Sequence, residues 1–349
     1  MRIPDSKKVI IIPKIPTHDA HKKEKTMKKL VYVASCADDG GIYTYEWHKG
    51  EMTLSVKTPV YRPMYIANEA GKTYVITEGD EKKSKFGTFF SFDNLGGTLT
   101  NKSEERSCEG YATCHLSVAD GEAYAVNYIS GSVIKFPGGK LVTHSGKGVH
   151  PTRQTAAHTH MAAVTPDKKF VLVTDLGLDT VFTYDRDLNF VSSAKVPAGY
   201  GARHLAFSPD GKYVYCVNEL VSSVSAFGYE DGKLSYIDTT LCPVEAEKNT
   251  AAAIRLSADG KTLYISNRGE NTLVSFAVDG ASLTLKQKIS CGGDFPRDFA
   301  LTPCGRYIVC ANQYTNDLTI FSLTSGKMRF VSRVPGIENP LCVTFLEVE

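Results

Sequence analysis

The sequence predicts an all-β fold: a seven-bladed β-propeller of four-stranded blades, in which the first and last strands share one blade. Three observations carry this. A two-strand unit recurs about every 45–50 residues. The two chain ends hold complementary halves of that unit. No useful stretch of helical periodicity interrupts the pattern.

In chain order the units are RPMYIANEAGKTYVITE (62–78), ATCHLSVADGEAYAVNY (112–128), THMAAVTPDKKFVLVTD (159–175), ARHLAFSPDGKYVYCVNE (202–219), AAIRLSADGKTLYISNR (252–268) and PRDFALTPCGRYIVCANQ (296–313). Each is an alternating strand, a turn built from Asp-Gly or a close substitute, and a second apolar strand with a polar end. Asp-Gly between alternating apolar runs signals a hairpin, because glycine tolerates the positive φ of the turn. Shorter strand pairs such as TVFTYDRDLNFVSSAKV and TLVSFAVDGASLTLKQKI lie between the units and bring each period to four strands. That is a propeller blade rather than a solenoid coil or a βαβ unit.

The termini set the blade number. NPLCVTFLEVE at the end of the chain matches the first strand of the unit, and LVYVASC near its start matches the second. Paired in one sheet they complete a seventh blade and hide the last strand edges.

Composition narrows the function. Hydrophobic residues at 42% and charged residues at 22% of 349 fit a globular protein. No run approaches 18 apolar residues, so no membrane-spanning helix is expected. VIIIP at Val9–Pro13 is too short for a signal-peptide core. Residues 1–26 carry seven Lys/Arg against three Asp/Glu, which leaves 40 − 7 = 33 against 38 − 3 = 35 in the rest. The near-neutral body argues against a nucleic-acid partner. Residues 1–26 are expected to be a basic, solvated extension ahead of Met27-KKLVYVAS, with the propeller spanning 27–349. Nine scattered cysteines without a CxxC pair, several inside apolar strands, fit reduced buried thiols and a cytoplasmic location.

Repeat register then selects candidate site residues. In a propeller the innermost strand of each blade lines a central channel, so equivalent positions form rings. Cys114, His160, Arg203 and Arg297 share the mouth of the first strand. Tyr128, Asp175, Glu219, Arg268 and Gln313 share the end of the second. Equivalent places occupied by different charged groups fit a binding funnel better than a scaffold. The alternative is a polar rim whose groups pair among themselves.

Four segments resemble the seven-bladed lactonase family, which groups 6-phosphogluconolactonase-type proteins with the carboxymuconate lactonising enzyme. They are HPTRQTAAHTHMAAVTPDKKFVLVTDLGLDTV (150–181), GARHLAFSPDGKYVYCVNEL (201–220), LYISNRGENTLVSF (263–276) and PRDFALTPCGRYIVCANQYTNDLTIF (296–321). The resemblance covers residues 27–349 and implies a funnel site with a His, two Arg and a Glu. On this chain these are His160 (or His158 of the same H-x-H), Arg203, Glu219 and Arg268. Two departures stand out: Ala157 precedes His158 where relatives often carry Pro, and Cys114 stands where the related motif usually has Pro-Cys-His.

A lactonase needs an activated water, a stabiliser for the carbonyl oxyanion and anchors for an anionic substrate. Glu219 or His160 is the candidate general base, and Arg203 and Arg268 are the candidate carbonyl and anion clamps. His158, Arg153, Arg297, Asp175 and Gln313 are candidate substrate contacts. The competing structural uses are an Arg203–Glu219 ion pair, an exposed loop arginine at 153, and Asp175 binding backbone N–H groups of its own turn. The chain carries no G-x-S-x-G elbow, P-loop or dinucleotide fingerprint. The expected activity is cofactor-free hydrolysis of a small anionic sugar-acid lactone, without metal. Cycloisomerisation of an unsaturated diacid and a non-enzymatic binding propeller are the alternatives. The second is weakened by the absence of WD-type signatures, the only tryptophan being Trp47.

Overall fold

The middle strands of the repeat, such as Tyr213–Asn218 and Thr262–Arg268, are apolar on both faces and buried on both. This demands a neighbour on each side of the sheet. In the computed structural model, which describes residues 28–348, seven antiparallel sheets stand in a ring and press face to face. Seven hydrophobic clusters fill the seven blade–blade interfaces, one each. Burial falls off outward: the outermost strands, such as Lys233–Leu241, are largely exposed. The expectation for residues 1–26 lies outside the described residues.

Blade one is the closure the termini predict. Strand Pro340–Val348 is innermost and pairs antiparallel with Lys28–Ser35, which is followed by Gly41–His48 and Glu51–Pro59. Blades two to seven begin with inner strands Pro63–Glu69, Thr113–Ala119, Thr159–Val164, Ala202–Phe207, Thr250–Leu256 and Pro296–Leu301. Blade two adds a short fifth strand, Arg106–Ser107. Among the described residues there is no α-helix, only a 3-10 turn at Glu81–Lys83. Among the same residues no helix is long and apolar enough to cross a membrane.

The hairpins follow their turn chemistry. In Ser208-Pro209-Asp210-Gly211, Gly211 takes φ +70°, and Ser208 Oγ accepts from Tyr213 N at 2.9 Å. Asp210 Oδ1 receives Lys212 N at 3.1 Å.

One local irregularity positions the site. Near the start of every inner strand the pairing register slips, leaving Met64, Cys114, His160, Arg203, Ala252–Ala253, Arg297 and Leu341 unmatched on the neighbouring strand. A β-bulge re-aims a side chain at a fixed point in a strand. Repeated round the ring, it brings Met64, Cys114, His160 and Arg297 to the channel at one level.

Candidate active site

The channel mouth at this level is a funnel of about 300 Å³, walled by Glu78, Tyr128, Arg153, His160, Glu219, Arg268 and Arg297, with Met64, Ala112 and Cys114. Four bulged residues, Met64, Cys114, His160 and Arg297, form its floor. Residues just past the second strands, or at their ends, form its wall. Blade five supplies Glu219 to the wall, and Arg203 from its bulge is buried against that carboxylate.

Glu219 is the electrostatic centre. Its Oε2 accepts from Arg203 Nε and Arg268 Nη2, both at 2.9 Å, and its Oε1 accepts from Arg153 Nη2. Three guanidiniums from three chain segments thus share one buried carboxylate. Burial pushes the Glu219 carboxyl up, but the surrounding cations, Arg268 and Arg203 foremost, outweigh it and hold the group well below the carboxylate range. Arg203 is buried and is lowered to about 9 by that burial and then by Arg268, which leaves it cationic at neutral pH. Backbone carbonyls steady the forks: Arg203 Nη1 donates to Ala252 O at 2.6 Å, and Arg268 Nη2 to Ala251 O at 2.8 Å. Arg268 also lies over the Phe295 ring, 5.1 Å from its centroid.

His160 forms part of the floor. Burial first, and then the charge of Arg203, depress its pKa well below the usual value, so the imidazole is neutral at pH 7. Beneath it the His204 ring packs edge-to-face at 5.1 Å and His115 packs on His204 at 5.2 Å. His158 precedes the strand and does not line the funnel. It stacks on Tyr128 at 4.5 Å, and its Nδ1 lies 3.0 Å from Tyr128 O.

Arg153 reaches the funnel because its loop is pinned. Gln154 Nε2 donates to Leu176 O at 2.8 Å and to Asp179 Oδ1 at 2.7 Å, while its Oε1 accepts from His150 N at 2.9 Å. Asp179 also accepts from Gly199 N and Gly201 N, each at 2.7 Å. Gly201 O in turn receives Glu219 N at 2.8 Å. Gly201 has φ +74°, and a Cβ there would meet Leu220 Cγ at 2.7 Å, so the link requires glycine.

Asp175 is placed differently from the sequence expectation of a substrate contact. It is wholly buried inside blade four, where its Oδ2 meets His144 Nδ1 at 2.7 Å and its Oδ1 receives His158 N and Leu178 N. Its strand partner is Thr159, as Asn218 partners Ala202. Asp175 is therefore the equivalent of Asn218, and Leu176 that of Glu219. A one-residue shift in repeat alignment exchanges wall for core. Gln313 does hold the equivalent of Glu219 in blade seven; it is half-buried, its Oε1 has no partner, and it is not among the funnel-lining residues.

Glu78, which the repeat alignment places in the ring, joins the wall from blade two and drew no chemical expectation. Its Oε2 accepts from Arg62 Nε at 2.7 Å, and Arg62 Nη1 holds Asp38 at 3.0 Å. Arg297 lines the funnel with no carboxylate partner among the described residues. Nor does any group of three or more His, Cys, Asp or Glu there stand ready to hold a metal ion. A larger cavity of about 640 Å³ opens at the far end of the inner strands, but its walls are mostly apolar and its Arg255–Asp298 pair is mutually satisfied at 2.7 Å. The convergent and partly unpaired charge is in the funnel.

The sequence profile of the "Lactonase, 7-bladed beta-propeller" family matches residues 30–345. The chain belongs to the seven-bladed β-propeller lactonase family. A 6-phosphogluconolactonase of Bacillus subtilis (strain 168) is 31% identical over 348 residues, covering 91% of this chain and 99% of its own. Among solved structures, a candidate 6-phosphogluconolactonase from Bacteroides fragilis superposes with TM-score 0.84 at 29% identity, over 93% of this chain and 99% of that one. A periplasmic gluconolactonase from Pseudomonas aeruginosa gives TM-score 0.81 at 27% identity, with coverage of 93% and 99%. This chain is a lactonase with a small-molecule lactone substrate.

Proposed function

We propose that this lactonase opens a phosphorylated sugar-acid lactone, 6-phosphogluconolactone foremost, to its hydroxy acid within the funnel. The observation that carries the proposal is the charge balance of the wall. Arg153, Arg268 and Arg297 line the funnel and buried Arg203 adjoins it through Glu219; these four guanidiniums are balanced by Glu219 alone, because Glu78 is matched by Arg62. A surplus of guanidinium in a small concave site suits a phosphate dianion, since planar forks of donors match its oxygens. The B. subtilis relative is named for the same substrate.

In this reading Arg297 and Arg153 anchor the phosphate, and Arg268, held by the Glu219 carboxylate it shares with buried Arg203, stabilises the oxyanion formed as water adds to the ring carbonyl. Glu219 serves as the fixed counter-ion that holds these forks in place before substrate arrives. With both oxygens engaged and its carboxyl held low, it is a poor proton acceptor. Neutral His160 offers a hydrogen bond from the floor to the substrate. The nine free cysteines fit a reducing cytoplasm.

The test is hydrolysis of freshly generated 6-phosphogluconolactone by the purified protein against spontaneous opening, with and without chelator and beside unphosphorylated gluconolactone. Chelator-resistant acceleration with preference for the phosphorylated lactone is expected. Equal rates on both lactones would overturn the phosphate assignment. No acceleration on either would redirect the site to another lactone or to cycloisomerisation.

A further inference from the structure

We infer that Glu78 is the general base of this lactonase, the catalytic residue that takes the proton from the attacking water. The inference rests on the proposed lactone hydrolysis in the funnel. Three observations carry it: where Glu78 stands, how it is held, and which oxygen is left over.

Glu78 follows the second strand of blade two as Glu219 follows that of blade five, so both stand at one level of the axis. Blade two lies three blades from blade five in one direction and three from blade six in the other. Glu78 therefore faces the Glu219–Arg268 cluster across the funnel. A lactone seated between the two sides with its carbonyl oxygen on the arginines can turn one face of the carbonyl toward a water held by blade two.

The holding contacts all fall on one oxygen. Oε2 accepts from Arg62 Nε at 2.7 Å, is paired with Arg62 Nη2, and has the Cys36 thiol 3.9 Å away; Oε1 has no partner among the described residues. The charged and titratable groups facing the carboxylate are Arg62, which also binds Asp38, Cys36, and Arg297 and His160 from the funnel. Arg62 takes φ 44°, an uncommon conformation for a residue with a side chain, in the turn that brings its guanidinium to Glu78. The result is a carboxylate fixed in direction with one oxygen free. Glu219, by contrast, has both oxygens occupied by arginine.

The step balances. Water oxygen bonds to the carbonyl carbon as one of its protons passes to Glu78 Oε1, and the carbonyl π pair moves onto oxygen. When C=O re-forms, the bond to the ring oxygen breaks, and that oxygen leaves with the proton from Glu78. The new carboxylic acid then loses its own proton to solvent.

The test compares wild type with Glu78→Gln and Glu78→Ala on the lactone that wild type turns over. Gln keeps an oxygen for Arg62 but cannot accept the proton. We expect kcat to fall about 10²–10⁴-fold with KM within about threefold, the acid limb of the kcat/KM profile to vanish, and formate to restore part of the Glu78→Ala rate. Wild-type kcat in Glu78→Gln with the acid limb intact would overturn the inference. So would a loss of rate that keeps the acid limb and resists formate, since that marks a merely structural role. A wild type inactive on both 6-phosphogluconolactone and gluconolactone would overturn the proposed reaction in the funnel instead.

Discussion

The Arg268 guanidinium, from blade six, lies 2.9 Å from the carboxylate of Glu219, its equivalent in blade five. Two copies of one repeat position carry opposite charges and neutralise each other across a blade interface. Removing the carboxylate charge strands three buried or half-buried arginines. Glu219→Gln is therefore expected to cost about 3–5 kcal/mol of stability, read as a lower urea midpoint at unchanged slope. It should lower lactonase activity as well, because the forks lose their common anchor. A midpoint equal to wild type would show that Glu219 does not hold the cluster.

Arg297 separates phosphate recognition from chemistry. It lines the funnel from the bulge of blade seven without a carboxylate partner. Charge-assisted hydrogen bonds are worth about 1.5–3 kcal/mol. Arg297→Gln should therefore raise KM for 6-phosphogluconolactone about 10- to 100-fold and leave unphosphorylated gluconolactone nearly unchanged. Equal losses on both lactones would contradict the assignment.

The floor predicts acid sensitivity. Burial first, with Arg255 and Arg203 adding to it, lowers His115 to about 3, and burial with Arg203 drives His204 well below its usual value, as it does His160. In the unfolded chain these imidazoles titrate near 6.5. As pH falls below that, the unfolded state binds protons the folded state refuses, so stability drops. The loss is about 1.4 kcal/mol per pH unit for each imidazole, and for His115 it ends near pH 3. Urea titrations between pH 7 and 5 should show this slope, and His115→Gln should reduce it by about one imidazole's share. An unchanged slope would place His115 in contact with water.

Asp179 fixes Arg153 through Gln154 and the path to Glu219 through Gly201. Asp179→Ala leaves three N–H donors without their acceptor, and unpaired buried donors cost about 1–3 kcal/mol each. The expected outcome is a large stability loss and a raised KM from a loosened Arg153, measured by urea denaturation and by kinetics on the folded fraction. A wild-type KM would mean that the loop holds itself.

The propeller was legible because each blade repeats one hairpin and the termini hold complementary halves of it. The convergence of Arg203, Glu219, Arg268, His160 and Arg297 was legible for the same reason: ring position follows from repeat position. Three features were not. The wall and the core are one residue apart at the end of the second strand, so Asp175 aligned with Glu219 although it pairs like Asn218. The bulge itself, which turns His160 and not His158 into the funnel, is announced by no local motif; only the repeat register points to His160. The separate fates of Glu78 and Glu219 depend on how many arginines each meets, which only tertiary contact decides.

The most direct test of the account is the kcat/KM of Arg268→Ala beside wild type on freshly generated 6-phosphogluconolactone, with folding checked by urea titration. Loss of one preorganised oxyanion donor predicts a fall of about 10²–10³-fold. A folded variant with wild-type kcat/KM would show that lactone opening does not take place on the arginine cluster of the funnel.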